Sequence, residues 1–386
     1  MHVLSLELQP PPATWSGSAA LARALDAALD EHPPAIQHIP TTPHEGRVAS
    51  TAVFFERAPL DALLARHLEL LRAWPDAALH HRVYGREIAD RLHAPVVIIS
   101  PPRSGSTLLY ELATSLPEVH GIGSESYHVI DRLQGLALHD HGHDSHVLTA
   151  ADASPPIITA IRVGFAAGLR DRDDQLVFGP RGDSSARTLR LVEKTPRNCL
   201  RVPFLRRAFP DARFVFLFRE PRAVLSSIME KWRRAASTGF NVRLPGWPGG
   251  EHWPPERWLG LVPPGWRALA GASLVEVAAL KWTQATLHML TAMDELPADQ
   301  RHALRFDELV ADPLGAIETI AAFAGLSLDE RARQRCTPPL PQSAATVTPP
   351  EPGKWRRDET ALMRVLPTLR PLIARVESRV GRFERS

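Results

Sequence analysis

The run Pro95-Val-Val-Ile-Ile-Ser-Pro-Pro-Arg-Ser-Gly-Ser-Thr-Leu-Leu109 reads as a strand, a turn and a helix in immediate succession. Four consecutive β-branched apolar residues from Val96 are the pattern of a strand buried on both faces of a parallel sheet. A helix is expected over 107–116. The turn between them is built of small residues. Such a turn exposes consecutive backbone N–H groups and aims them, with the helix N-terminus, at an anion. Ser104, Ser106 and Thr107 add hydroxyl donors and Arg103 adds a fixed positive charge. The ATP-binding motif G-x-x-x-x-G-K-[ST] is absent, because no lysine precedes Ser106 or Thr107.

Outward from this run, strands are expected over 189–192, 212–218 and 303–306, and helices over 200–208 and 222–234. A further helix is expected to start at Asp312-Pro313, where Asp can cap and Pro suits the first turn, and to end at Gly325. Strands alternating with helices predict a doubly wound α/β domain around a central parallel sheet, spanning 94–386. Residues 1–93 read as a helical N-terminal extension. It holds an Ala/Leu helix over 19–29, stopped by Pro33-Pro34, and a second over 60–74 with Leu60, Leu63, Leu64, Leu68 and Leu71 at helical spacing. Residues 135–155 are polar and histidine-rich. Residues 238–267 are dense in Pro, Gly and Trp, and the four tryptophans Trp247, Trp253, Trp258 and Trp266 indicate a long ordered loop.

Composition excludes several classes. Lys plus Arg number 45 against 43 Asp plus Glu, so the net charge of +2 on 386 residues offers no field to hold nucleic acid or an anionic membrane. Two cysteines, Cys199 and Cys336, exclude a disulfide scaffold and a four-Cys zinc site. No run of 18 apolar residues exists, and the first twelve residues lack the basic and apolar regions of a secretory signal. A soluble, cytoplasmic protein is the expectation. Only four of the basic residues are lysines: Lys194, Lys231, Lys281 and Lys354. A lysine in a chain so biased to arginine draws attention to its position.

A second chemical signal is Phe214-Val-Phe-Leu-Phe-Arg-Glu-Pro-Arg-Ala-Val-Leu-Ser-Ser-Ile228. A strand delivers Arg219 and Arg222 at its C-terminal end, where α/β folds bind ligands. Arg219 and Ser227, eight residues on, can clamp a second phosphate through charge-assisted hydrogen bonds. Taken alone, an Arg-Glu-Pro-Arg turn also reads as a salt-bridged strand end.

Together these residues resemble the sulfotransferases that use 3′-phosphoadenosine-5′-phosphosulfate (PAPS). Arg103-Ser-Gly-Ser-Thr107, continued by Leu108, looks like that family's 5′-phosphosulfate loop, and Arg219 with Ser227 like its 3′-phosphate site. Further matches are Glu193-Lys-Thr-Pro-Arg-Asn198, Phe209-Pro-Asp-Ala-Arg-Phe214, Arg305-Phe-Asp-Glu-Leu-Val310 and Gly353-Lys-Trp-Arg-Arg357. The resemblance covers roughly residues 95–360 and is closest to a bacterial branch that also looks similar to tyrosylprotein sulfotransferases. It implies a P-loop-like fold, PAPS as co-substrate without a metal, and transfer to a hydroxyl or amine of a small-molecule or carbohydrate acceptor, including those of secondary metabolism. It implies Arg103 and Lys194 as the cations that stabilise the transferring group, and Lys354, Trp355, Arg356 and Arg357 in a segment closing over the nucleotide. Glu125, in Gly121-Ile-Gly-Ser-Glu-Ser126, stands where the resembling branch places its general base, with His120 and His128 as runners-up.

Sulfuryl transfer asks for positioning and charge stabilisation rather than for a metal, which agrees with these residue types. The cluster His139-Asp-His-Gly-His-Asp-Ser-His146 invites a metal reading, but a solvated His-rich loop is the reading favoured. The 238–267 loop is expected to cover the acceptor and offer it tryptophan faces. Two rival readings stand beside this one: a P-loop small-molecule kinase, disfavoured by the missing lysine and the lack of an evident Mg²⁺ ligand set, and a nucleotide-binding scaffold without catalysis. The N-terminal helices offer a contact for a homo-oligomer.

Overall fold

The computed structural model describes residues 2–9, 36–37, 48–54, 78–84 and 86–383, apart from 132, 134, 179–186, 251–252, 350 and 352. In chain order the strands begin with β1 (His2–Gln9), β2 (Ile36–Gln37), β3 (Val48–Phe54), β4 (Ala78–Tyr84) and β5 (Val96–Ile99). Helix α1 (Ser106–Ala113), β6 (Val119–His120), helix α2 (Pro155–Ala167), β7 (Arg190–Lys194), α3 (Val202–Ala208), β8 (Arg213–Phe218) and α4 (Pro221–Thr238) follow. A two-stranded ladder, β9 (Val242–Arg243) with β10 (Arg257–Trp258), precedes α5 (Leu274–Glu295) and β11 (Arg301–Arg305). The chain then runs through α6 (Phe306–Ala311), α7 (Pro313–Ala324) and α8 (Glu359–Val380). Among the described residues no helix is long and apolar enough to cross a membrane.

The described residues fall into two compact units. One takes 1–93, 120–137 and 152–191; the other takes 94–119, 138–151 and 192–386. In the first, β1 pairs antiparallel with both β3 and β4, in a sheet of order β2-β3-β1-β4. A purely helical extension is therefore corrected. Leu4, Leu6 and Leu8 alternate with Ser5, Glu7 and Gln9, a two-residue period that belongs to a strand. The helices expected over 19–29 and 60–74 lie outside the described residues. Helix α2 buries Ile161, Val163 and Phe165, and its Arg162 donates to the carbonyls of Ala89 and Leu92 at 3.1 and 2.8 Å, closing the turn Arg86–Arg91.

The second unit carries the main sheet, of order β11-β8-β5-β7-β6. Its recorded pairs are parallel: β11 on β8, β8 on β5 and β5 on β7. All four residues of β5 are buried, as an uninterrupted β-branched run demands. Val96 and Ile98 join Leu109 and Leu112 of α1 and Ile317 and Ile320 of α7 in one apolar core. Asp312 caps α7 by accepting from the Gly315 N–H at 2.9 Å, and Gly325 ends it in the left-handed region at φ 64°. Both ends agree with the sequence pattern. A second core joins α4, α5, α8 and the 240–269 segment. Here Trp232, Trp247, Trp253 and Trp258 meet edge to face, with centroids 4.9–5.3 Å apart, and Trp258 and Trp266 donate to the carbonyls of Leu261 and His143. Edge-on packing of such large rings orders a segment that holds almost no regular secondary structure.

Candidate active site

Three consecutive parallel strands deliver the predicted cations to one edge of the sheet. Ile98 of β5 pairs with Lys194 of β7, and Ile99 pairs with Phe216 of β8. The loop 100–105, Lys194 and Arg219 thus all leave the carboxyl ends of neighbouring strands, where open α/β sheets bind ligands. Lys194 is buried, as are Glu193, Thr195 and Asn198 of the same run. Asn198 donates to the Glu193 carboxylate at 2.9 Å, which fixes the turn behind the lysine.

The loop has the backbone of an anion cradle. Arg103 sits at φ 72° and Gly105 at φ 91° as the N-cap of α1, so the chain curls and turns its N–H groups inward ahead of Ser106, Thr107 and Leu108. Only glycine suits position 105. A Cβ there would penetrate the edge of the Phe306 ring and stand 3.2 Å from its Cζ. The hydroxyls of Ser100 and Ser104 are buried without a hydrogen-bond partner. Orphaned donors of this kind are expensive unless an acceptor arrives, so the loop fits a ligand rich in anionic oxygens.

The two predicted anion subsites are wired to each other. Arg103 Nε donates to the Ser227 hydroxyl at 3.1 Å, and Arg219 Nη1 donates to the Arg103 carbonyl at 3.2 Å. The Arg219 guanidinium lies over the Phe306 ring, 4.5 Å from its centroid. Burial, and then the charge of Arg103, lower the pKa of Arg219 from its ordinary value. Two guanidiniums held this close repel each other, and an anion at this edge relieves the repulsion.

Helix α4 carries the next layer. Glu220 caps it by accepting from the Ala223 N–H at 2.9 Å and from Arg222 Nε at 2.5 Å. Arg222 stacks on Trp355, 4.1 Å from the ring centroid, with Arg356 at 5.2 Å. While Ser227 meets the loop, its neighbour Ser226 donates to Asp358 at 2.5 Å, and Arg233 binds the same carboxylate at 2.7 Å. Glu230 gathers Arg357 at 2.9 Å, Lys354 at 3.5 Å and the Thr348 hydroxyl at 2.7 Å. Burial opposes its ionisation, but the hydrogen bonds from Arg357 and Thr348 and the charges of Arg357 and Lys354 prevail and hold its pKa down at about 2.

Of the predicted residues, the structure brings Arg103, Ser104, Gly105, Ser106, Thr107, Arg219 and Ser227 together, with Lys194 on the adjoining strand end. Lys354 and Arg357 instead engage Glu230. Glu125 belongs to the first compact unit, half-buried in the turn before the short helix Tyr127–Ile130. Glu230, Asp358 and Phe306 were not singled out from the sequence. Glu230 lies three and four residues after Ser227 and Ser226 on one helix, the spacing that shares a face, and that spacing was the available signal.

Two expectations change. The four loop tryptophans are buried in the second core rather than presented to an acceptor; Trp258 is 0% exposed. The histidine cluster also divides. His146 is buried, accepts from the Val262 N–H at its Nδ1 at 2.8 Å, and has its pKa pushed well down by burial. His139 is exposed, with its ring centroid 6.5 Å from that of His143. Among the described residues no group of three or more His, Cys, Asp or Glu side chains is arranged to hold a metal ion.

The profile of the sulfotransferase family matches residues 95–248 and 264–330, more than half of the chain. No curated protein matches it. Solved structures similar to this chain include a sulfotransferase, STF9, from Mycobacterium avium (17% identity over 84% of this chain and 85% of that one, TM-score 0.42). Another is STF1 from Mycobacterium tuberculosis H37Rv (14% identity, 83% and 87%, TM-score 0.39). A third is mouse sulfotransferase SULT7A1 complexed with PAP (12% identity, 75% and 88%, TM-score 0.35). With superposition scores this low, these structures add nothing to the profile match.

Proposed function

The chain belongs to the sulfotransferase family, and on that footing we propose that it moves the sulfuryl group of PAPS to a hydroxyl or amine of a small-molecule or carbohydrate acceptor. The observation that carries this reading is the coupled pair of cationic subsites at the sheet edge. Arg103 at the loop and Arg219 with Ser227 on the next strand and helix are joined by two hydrogen bonds. Two linked cationic subsites suit a ligand that carries two anionic groups, as a nucleotide with phosphates at both its 3′ and 5′ positions does.

When bound, PAPS supplies a sulfuryl group on a phosphate leaving group. Arg103 and the N–H groups ahead of α1 hold the phosphosulfate, with Ser104 finding there the acceptor it lacks. As the acceptor oxygen or nitrogen bonds to sulfur, the S–O bond to the phosphate breaks and its electron pair stays on the bridging oxygen. Arg103 and Lys194 neutralise that oxygen, and electrostatic stabilisation of developing charge is the largest single contribution such a site makes. Glu125 takes the acceptor's proton. The protein residues need no metal in any of these roles.

The test follows PAP release from PAPS with a panel of hydroxyl and amine acceptors in the presence of EDTA. Wild-type turnover is expected, and Glu125→Gln is expected to lower kcat by about two to four orders of magnitude while leaving PAP affinity near wild type. Equal turnover in the variant removes Glu125 from its role. No transfer from PAPS together with Mg·ATP-dependent phosphorylation of an acceptor identifies a kinase instead.

A further inference from the structure

Residues 343–349 run without helix or strand beside the loop, and each of their recorded anchors is polar. The Ala344 N–H donates to Glu111 of α1 at 2.9 Å, and Arg103 Nη1 donates to the Ala345 carbonyl at 3.0 Å. Arg234 of α4 donates to the Val347 carbonyl at 3.1 Å, Thr348 donates to Glu230 at 2.7 Å, and Lys354 Nζ reaches the Pro349 carbonyl at 3.2 Å. None of these seven residues belongs to either apolar core. A segment fastened by hydrogen bonds, with none of its residues fully buried, sits at the low end of local stability.

Two of those anchors use groups assigned above to the ligand: Arg103 holds the Ala345 carbonyl at the loop, and Lys354 holds the Pro349 carbonyl. Two carbonyl oxygens of the segment thus occupy cations that a phosphosulfate and a phosphate would otherwise engage.

We propose that residues 343–349 form an autoinhibitory strap, in which the Ala345 carbonyl on Arg103 and the Pro349 carbonyl on Lys354 stand in for ligand oxygens and must be displaced before the anion subsites engage. Both partners compete for the same N–H donors, so the apparent affinity is the intrinsic affinity multiplied by the fraction of molecules with the strap released. Loosening the strap at a point remote from the ligand therefore tightens binding. A segment that simply closes over the nucleotide predicts the opposite sign. The proposal rests on the nucleotide reading, and the experiment separates the two.

The perturbations are Glu111→Ala, which removes the acceptor of the Ala344 N–H, and Arg234→Ala, which frees the Val347 carbonyl. Glu111→Gln keeps an acceptor oxygen and serves as the conservative control. The readouts are PAP affinity by calorimetry and amide hydrogen exchange of 343–349 with no ligand, with PAP, and with inorganic sulfate. Each alanine variant is expected to bind PAP about three- to tenfold more tightly, with Glu111→Gln near wild type. Both PAP and sulfate are expected to speed exchange in the strap. Weaker or unchanged PAP binding in both alanine variants overturns the strap. A wild-type protein that ignores PAP while sulfate still speeds strap exchange overturns the nucleotide reading and supports the strap; exchange unmoved by either ligand overturns the strap.

Discussion

Replacing Gly105 by alanine tests the loop and the core behind it together. The native backbone at 105 has φ 91°, a conformation that costs an L-residue roughly 1–2 kcal/mol. The added methyl would also overlap Cδ2 and Cε2 of Phe306, with Cζ at 3.2 Å. That ring has little room to retreat. It packs against the first core and carries the Arg219 guanidinium at 4.5 Å. Overpacking of this kind adds about 1–3 kcal/mol, so Gly105→Ala is expected to destabilise the protein by about 2–5 kcal/mol in total. Urea titration monitored by tryptophan fluorescence measures it, because seven buried tryptophans report on the same unit. Combining it with Phe306→Leu provides the internal control. The smaller side chain is expected to recover the overpacking share and leave the backbone share. A Gly105→Ala protein within about 0.5 kcal/mol of wild type, or a double variant whose cost is the plain sum of the singles, refutes the reasoning.

Three further outcomes are expected. Trp258→Ala, at a fully buried ring touching Trp232 and Trp247, is expected to cost about 3–5 kcal/mol of stability by denaturant titration, whereas an acceptor-facing ring would change only the acceptor KM. Glu230 has its pKa lowered to about 2 from 4.5; its ion pairs therefore contribute fully above about pH 4.5 and are lost as pH falls toward 2, and Glu230→Gln is expected to flatten that part of the acid-unfolding profile. Lys281 is buried against Trp232 and Trp258, donates to the Leu259 carbonyl at 2.5 Å, and has its pKa pushed well down by burial and by the charges of Lys231 and Arg197. The folded state then binds fewer protons there than the unfolded chain, so wild-type stability rises with pH toward the ordinary lysine value, and Lys281→Met is expected to lose that slope in pH-dependent melting.

The strands and helices around the main sheet were legible because their signals are local. Val96–Ile99 is apolar on both faces, and Asp312 and Gly325 bracket α7 with side-chain and backbone chemistry that acts within a few residues. The strand–turn–helix of the proposed anion loop was legible for the same reason: its strand, small residues and helix start are adjacent in sequence. What escaped depends on partners far along the chain. Glu230 meets Arg357 across 127 positions and Ser226 meets Asp358 across 132, and no periodicity announces such pairs. The loop tryptophans were read as binding faces because composition alone does not distinguish a ring presented to ligand from one packed on another ring. The strand His2–Gln9 was overlooked, although its alternation is present in the sequence, because the Ala- and Leu-rich segments that follow it suggested helices.

The most direct test of the account is a calorimetric titration of the protein with PAP, beside ADP and Mg·ATP, repeated with Arg219→Ala. The loss of hydrogen bonds from a part-buried guanidinium to a phosphate removes roughly 1.5–3 kcal/mol per bond, so the account predicts binding that favours PAP over ADP and weakens about tenfold to several hundredfold in the variant. Preference for Mg·ATP, or PAP binding indifferent to Arg219, would contradict it.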